Sequence, residues 1–156
     1  MESRTGASCN LTARLTPKQR ARYQDDDTIR YLLRTSKTIA IVGLSFKAEK
    51  ASNIVASYIQ DKGYRIIPVN PIRDEILGQR CYPDLASVQE KIDIVDIFRP
   101  SDEVPAILNQ ALTIGAKAIW MQLRIVHFEA AELALSKGLK VVIDKCIKTE
   151  FDKISQ

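Results

Sequence analysis

The stretch that most constrains the fold is TIAIVGLSFKAEKAS, residues 38–52. Its first five residues, Thr38–Val42, are mostly β-branched and apolar, which is typical of a short buried strand. Gly43 ends this run, and a polar loop leads to Ser52, which stands before an apolar-periodic helix pattern. The order of strand, glycine turn and helix N-terminus favours a nucleotide-binding βαβ unit. A residue without a Cβ would let a ligand approach the backbone, and a helix N-terminus favours phosphate.

Four more apolar runs alternate with helix patterns, and each is apolar through its middle. The predicted strands are residues 38–42, 64–69, 92–98, 118–122 and 140–143, with helices at about 53–62, 101–114 and 128–137. Strands that are covered on both faces indicate a parallel sheet. We therefore predict a Rossmann-like α/β fold, a doubly wound five-stranded sheet in the order 3-2-1-4-5 with helices on both faces. This order predicts a ligand crevice past the carboxyl ends of strands one and four.

The remaining segments predict smaller elements around this sheet. Asp25-Asp26-Asp27 can cap a helix over TIRYLLRTS, whose apolar residues share one face. The segment after strand two predicts a loop or hairpin around Leu77-Gly78 and a short helix at 86–90. A last helix is expected to begin near Ile147.

Composition narrows the class of protein. The chain of 156 residues, 46% hydrophobic and 27% charged, fits one globular domain, which we place at residues 25–156. Neither a membrane span nor an N-terminal secretory signal is apparent. Three widely spaced cysteines indicate a reducing compartment, so we expect a cytoplasmic protein with no disulfide framework and no metal site.

The net charge of +4 arises entirely from residues 1–24, which hold five basic residues and one acidic residue. The rest of the chain is balanced, so no nucleic-acid-binding face is predicted. This basic, aperiodic segment predicts a disordered extension. An organelle transit peptide is the alternative, because the segment is rich in Arg, Ser and Thr.

The loop chemistry discriminates between nucleotides. Only Gly43 is present where a dinucleotide fold usually has three glycines, and strand two ends in Asn70-Pro71 without an acid for the ribose. Both features disfavour NAD, and no P-loop motif occurs. Ser45, Lys47 and Lys50 in the loop, with Arg73 beyond strand two, are suited to phosphate. A ligand with a pyrophosphate and a 3′-phosphate, and with no need for a ribose-binding acid, fits these residues better than NAD does.

Several motifs together resemble the small stand-alone CoA-binding proteins, which are similar to the CoA-binding domain of the succinyl-CoA synthetase alpha subunit. They are VGLSFK, SNIV, GYRIIPVNP, EILGQRCYPDL, DIVDIFRPSDEVP, GAKAIWMQL and GLKVVIDKC, and they cover about residues 27–150. The resemblance implies a protein that binds CoA or acyl-CoA as a small-molecule ligand. Whether it forms a homo-oligomer is left open.

The resemblance also implies which residues hold the ligand. The site residues carried over are Gly43, Leu44, Ser45, Phe46, Lys47, Asn70, Pro71, Phe98, Arg99, Gln122 and Arg124. Two departures stand out. Phe46 and Ala48 replace prolines that relatives often carry, which predicts a less pre-organised loop. Arg124 replaces a glycine and could fill the crevice or pair with a phosphate.

Catalytic residues are not apparent in the sequence. His127 precedes a helix and is interpreted as a cap rather than as the phosphorylated histidine of the synthetase, whose second domain is absent here. Asp96 is interpreted as a satisfied polar group at a strand end, and Trp120 as core. Cys146 is interpreted as a half-buried thiol, with a mixed disulfide to CoA as the alternative.

Three functions remain in competition. The leading hypothesis is a CoA or acyl-CoA binding protein for which the sequence indicates no reaction, and whether it is an enzyme is left open. The second is an NAD(P)-linked enzyme or redox sensor on the same fold, because a fold does not fix a function. The third is an accessory subunit that acts in trans with an acyl-CoA ligase.

Overall fold

The computed structural model describes residues 15–156. The helices are α1 (Pro17–Tyr23), α2 (Asp26–Thr35), α3 (Ala51–Asp61), α4 (Val104–Thr113), α5 (Phe128–Ser136) and α6 (Ile147–Ile154). The strands are β1 (Thr38–Val42), β2 (Arg65–Val69), β3 (Glu75–Ile76), β4 (Gln79–Arg80), β5 (Ile94–Ile97), β6 (Ala118–Met121) and β7 (Lys140–Val142). Two 3₁₀ turns, Leu85–Ser87 and Ser101–Glu103, precede β5 and α4.

Five strands form one parallel sheet in the spatial order β2-β1-β5-β6-β7. Helices α2, α3 and α6 bury their apolar residues on one face, and α1, α4 and α5 bury theirs on the other. The prediction of a five-stranded parallel α/β sheet with helices on both faces is therefore confirmed. Its strands are apolar throughout because both faces are covered.

The predicted strand order is wrong. The third strand of the large sheet, β5, lies between β1 and β6 rather than outside β2. Tyr82 occupies the outer edge of β2, where its N–H donates to Pro68 O (3.0 Å) and its carbonyl accepts from Asn70 N (2.9 Å). Because this edge is paired near its carboxyl end, β5 pairs with the free edge of β1 instead. The winding reverses between β1 and β5, so the crevice expected past strands one and four lies past these two strands.

The N-terminal boundary also differs from the prediction. Residues 15–24, which we expected to be part of a disordered extension, contain α1, which begins with a capping box between Thr16 and Gln19. Leu15 and Tyr23 are buried in the core, and Tyr23 O accepts a hydrogen bond from Ile143 N (3.0 Å). The remainder of that expected extension, residues 1–14, lies outside the described residues.

Most of the smaller elements follow the local sequence signals. The hairpin turns at Leu77 and Gly78, both of which have positive φ, as its two-residue loop requires. Asp25 caps α2, and α6 begins at Ile147 as predicted. The short helix expected at 86–90 is instead the 3₁₀ turn Leu85–Ser87, which Asp84 caps by accepting from Ser87 N and which ends where the backbone becomes extended at Val88.

Candidate functional site

A cavity of about 600 Å³ opens at the carboxyl ends of β1, β2 and β5, beside the point where the winding reverses. Its walls are residues 42–46, 69–72 and 83–85 together with Arg99, Glu103, Ile107 and Gln110. In open α/β sheets, ligands bind in this position. Seven of the predicted site residues line it, namely Gly43, Leu44, Ser45, Phe46, Asn70, Pro71 and Arg99.

The loop after β1 is fixed by hydrogen bonds to the first turn of α3. Ser45 N donates to Ser52 Oγ (2.9 Å), and Asn53 Nδ2 donates to Ser45 O (2.9 Å). Ser52 and Asn53 are both buried, so these contacts are shielded from water. The hydrogen bonds constrain the loop at Ser45, beside Phe46.

Asn70 joins this loop to the end of β2. Its Nδ2 donates to Leu44 O (2.9 Å), while its Oδ1 accepts from Ile72 N (2.8 Å) and Arg73 N (3.2 Å). Just outside the cavity, the Arg73 guanidinium lies 3.6 Å from the centroid of the Phe46 ring. Asn70 therefore connects the loop after β1 to the loop after β2. The Arg73 guanidinium places a positive charge at the rim of the cavity.

Helix α3 begins at Ala51, and its N-cap residue Lys50 makes no side-chain capping hydrogen bond. The first turn of a helix has N–H groups without intrahelical partners. The positive end of the helix dipole is therefore not neutralised by a side-chain cap, next to the Ser45 loop that lines the cavity.

Gly43 adopts a φ of +88° and donates from its N–H to Val69 O (3.1 Å). A Cβ atom at this position would lie 2.8 Å from Arg99 Cδ and 3.1 Å from Phe98 O. The space that we expected a ligand to use therefore holds the Arg99 methylene chain in this structure. Close approach is the reason for glycine here, with a side chain of the protein as the neighbour.

Four predicted site residues do not line the cavity. Phe98 packs against the core on the α2–α3 face, and Lys47 is exposed in the loop. Gln122 is buried, and its Oε1 accepts from Ile147 N (3.0 Å), which positions the start of α6. Arg124 has a positive φ and donates from its N–H to Asp144 Oδ1 (2.6 Å). Their contact with a ligand stays a prediction.

Several residues of the cavity wall were not predicted from the sequence. Glu103 directly precedes α4, Ile107 and Gln110 lie within it, and the three share one of its faces. Their spacing of four and three residues is a helical signal that could have grouped them. The local sequence does not show that this face of α4 is directed towards the cavity. The orientation depends on the packing of α4 against the 3₁₀ turn Leu85–Ser87, where Gln110 Oε1 accepts a hydrogen bond from Ala86 N (2.9 Å).

The prediction that Asp96 is a hydrogen-bonded polar group at a strand end is wrong. The residue is fully buried in β5, and neither carboxylate oxygen has a hydrogen-bond partner within residues 15–156. Burial raises the pKa of Asp96 well above its ordinary value, and the nearby Cys146 thiol adds to the increase. The side chain is therefore stable in the protonated form.

Two other interpretations concern lone polar residues. His127 caps α5, where its Nδ1 accepts from Ala130 N (3.1 Å), which confirms the capping role. Cys146 is half-buried, as expected.

Across the described part of the chain, no group of three or more His, Cys, Asp or Glu side chains could hold a metal ion. Over the same residues, no helix is long and apolar enough to span a membrane.

The chain belongs to the CoA binding domain family, whose profile matches residues 37–152. An uncharacterized protein of Bacillus subtilis, YneT, is 41% identical over 120 residues, which are 77% of this chain and 89% of that one. The solved structure of a hypothetical protein from Pyrococcus horikoshii OT3 is 37% identical with a TM-score of 0.81, covering 84% of this chain and 92% of that chain.

A larger enzyme shares part of this sequence. The ADP-forming acetate–CoA ligase of Methanocaldococcus jannaschii is 33% identical over 81 residues. These are 52% of this chain but only 12% of the ligase, so the two proteins share a small region. The predicted resemblance to CoA-binding proteins is confirmed by the family match.

Proposed function

We propose that this protein binds CoA or an acyl-CoA, with the nucleotide in the cavity between the carboxyl ends of β1 and β5. One observation carries the proposal. The cavity lies at the switch point and is walled by the glycine loop that leads to the N-terminus of α3. Membership in the CoA binding domain family supports CoA over other nucleotides.

The chemistry of the walls suits such a ligand. Val42, Val69, Leu85 and Ile107 supply apolar surface, which favours the flat face of a base. Arg99 in the wall and Arg73 at the rim supply guanidinium groups, which bind phosphate with two parallel hydrogen bonds. A cavity of about 600 Å³ lies within the usual range for small-molecule sites, about 300–1,000 Å³.

The NAD alternative receives no support at the end of β2. An NAD site needs an acid there for the ribose hydroxyls. Asn70 stands in that place, and both ends of its side-chain amide are hydrogen-bonded within the protein. Binding of NAD would have to break these bonds or forgo the ribose contact.

Isothermal titration calorimetry with CoA, acetyl-CoA and NAD tests the proposal. We expect CoA to bind more tightly than NAD, and acetyl-CoA to bind comparably if the thiol end is left outside the cavity. Tighter binding of NAD than of CoA would reverse the assignment, and an absence of binding by every nucleotide would remove it.

A further inference from the structure

Arg99 and Glu103 form an ion pair in the wall of the cavity. Arg99 Nε donates to Glu103 Oε1 (3.0 Å), and Nη2 donates to Oε2 (2.8 Å). Both side chains line the cavity and are about half exposed, at 47% and 44%. The Arg99 guanidinium therefore binds the Glu103 carboxylate with the same bidentate hydrogen bonding that it could offer to a phosphate.

The Arg99 side chain also crosses Gly43. Its Cδ and Cγ atoms lie 2.8 Å and 3.2 Å from the position where a Gly43 Cβ would be. The ion pair thus holds the methylene groups of Arg99 against the backbone of the loop after β1. A ligand that approaches Gly43 must move Arg99 or bind on top of it.

The charge of Glu103 opposes an anionic ligand. The hydrogen bond from Arg99 lowers the pKa of Glu103, so the carboxylate stays ionised at neutral pH. Arg65 and Glu90 form a similar two-pronged pair with comparable exposure, but neither residue lines the cavity. Glu103 is therefore distinguished from Glu90 by its position in the proposed site.

We propose that Glu103 is an internal competitor for Arg99, and that a ligand carrying phosphate groups displaces it. Arg99 exchanges the Glu103 carboxylate for a phosphate of the ligand and leaves the backbone at Gly43. Half-exposed ion pairs contribute little to stability, so this exchange is energetically accessible. Glu103 then sets the affinity of the site for polyanions. The inference rests on the proposed function for the identity of CoA, but not for the competition itself.

Calorimetry on wild type and Glu103→Gln tests the competition, with Glu90→Gln as the matched control. Glutamine keeps the size of the side chain and removes the charge. We expect Glu103→Gln to bind CoA about three- to tenfold more tightly, because both the repulsion and the competing partner are lost. Glu90→Gln should bind as wild type does. Unchanged or weaker binding by Glu103→Gln would overturn the inference.

Arg99→Met supplies the second test, because methionine keeps an apolar chain over Gly43 without the guanidinium. We expect weaker binding of CoA and a smaller gain from Glu103→Gln in this background, since the two residues act through each other. Equal gains in both backgrounds would show that Glu103 does not act through Arg99.

Inorganic pyrophosphate separates this inference from the proposed function. If wild type binds pyrophosphate but not CoA, and Glu103→Gln tightens pyrophosphate, the competition stands while the CoA assignment fails. If wild type binds CoA and Glu103→Gln tightens neither probe, the competition fails while the proposed function stands. If wild type binds neither probe, both are overturned.

Discussion

Gly43 directly follows β1 and lines the cavity. Its φ of +88° and the 2.8 Å approach of Arg99 Cδ make two separate demands for glycine. Gly138 has a φ of +90°, but nothing lies within 4 Å of its Cβ position. The two glycines therefore share a backbone requirement and differ in their surroundings.

Gly43→Val should abolish tight CoA binding, with Gly138→Val as the control for backbone strain. Each substitution places a branched side chain at positive φ, which costs about 1–3 kcal/mol. Only the side chain introduced by Gly43→Val would also push against Arg99 and Phe98 O, so we expect CoA affinity to fall about tenfold or more in that variant alone. Circular dichroism confirms folding, and calorimetry measures affinity. Equal affinities in the two variants would place the ligand elsewhere.

Asp96 makes stability depend on pH in a direction that can be tested. Its raised pKa means that the native state binds a proton that the unfolded state releases above about 3.8, the ordinary value. The free energy of unfolding should therefore fall as pH rises from 3.8 towards the raised pKa, by about 1.4 kcal/mol per pH unit. Above that pKa the loss is complete.

Asp96→Asn removes this titration, so its stability relative to wild type should improve as pH rises from about 4 towards the raised pKa of Asp96. Urea unfolding at several pH values measures the difference. Asp93→Asn is a control of opposite sign. Although partial burial favours a higher value, hydrogen bonds from Lys37 N and Thr38 N lower the pKa of Asp93. Below about pH 3.8 that variant should lose stability relative to wild type as pH rises, and at higher pH the difference should stay constant, because Asp93 is then ionised in both the folded and the unfolded state. A difference for Asp96→Asn that is independent of pH would contradict the buried, protonated state.

At the scale of elements, α1 is attached to the domain at several points. Tyr23 packs on Phe128 with ring centroids 5.6 Å apart, and Arg22 pairs with Glu132 through two hydrogen bonds. This pairing and a hydrogen bond from Tyr23 lower the pKa of Glu132 to about 2. Gln24 Nε2 donates to Ile143 O (2.9 Å), next to the end of β7.

Removal of residues 1–24 should therefore destabilise the protein. Loss of the buried Leu15 and Tyr23 side chains removes about 3 kcal/mol or more of apolar burial. For a protein of this size, that corresponds to a decrease in Tm of roughly 6–12 °C. A chain that begins at residue 15 is the control, because it retains α1. If residues 25–156 alone melt within about two degrees of that control, α1 does not contribute to stability.

The segment between β2 and β5 shows how one connection changes the sheet. Residues 70–93 contain the hairpin, the 3₁₀ turn and Tyr82, but no α-helix. The Tyr82 backbone hydrogen bonds close the edge of β2, and Asp84 and Leu85 then supply part of the cavity wall. The same segment therefore sets both the strand order and one side of the site.

At the scale of the whole molecule, ligand binding should be visible as thermal stabilisation. The cavity draws its walls from β1, β2, the loop after β5 and α4, so a bound ligand links both sides of the switch point. A ligand that binds only the native state at 100 times its Kd adds about 2.7 kcal/mol. We expect CoA at that ratio to raise Tm by roughly 5–11 °C.

Differential scanning fluorimetry over a series of CoA concentrations measures this effect. NAD at the same concentrations is the comparison ligand, and Gly43→Val is the variant in which the CoA shift should be about half as large or smaller. An increase in Tm with NAD and none with CoA would contradict the proposed specificity. A shift of undiminished size in Gly43→Val would show that CoA binds outside the cavity.

The sequence by itself determined the elements whose causes are local. The apolar strands, the hairpin at Leu77-Gly78 and the His127 cap depend on neighbouring residues, and all three could be predicted from the sequence. Tertiary structure decided the strand order, because the apolar pattern of β5 suits a position outside β2 as well as a position between β1 and β6. The pairing of Tyr82 with the β2 edge excluded one of them. Tertiary packing likewise decided that Glu103 and Gln110 face the cavity and that Gln122 does not, since an orientation of this kind depends on contacts between residues far apart in the chain.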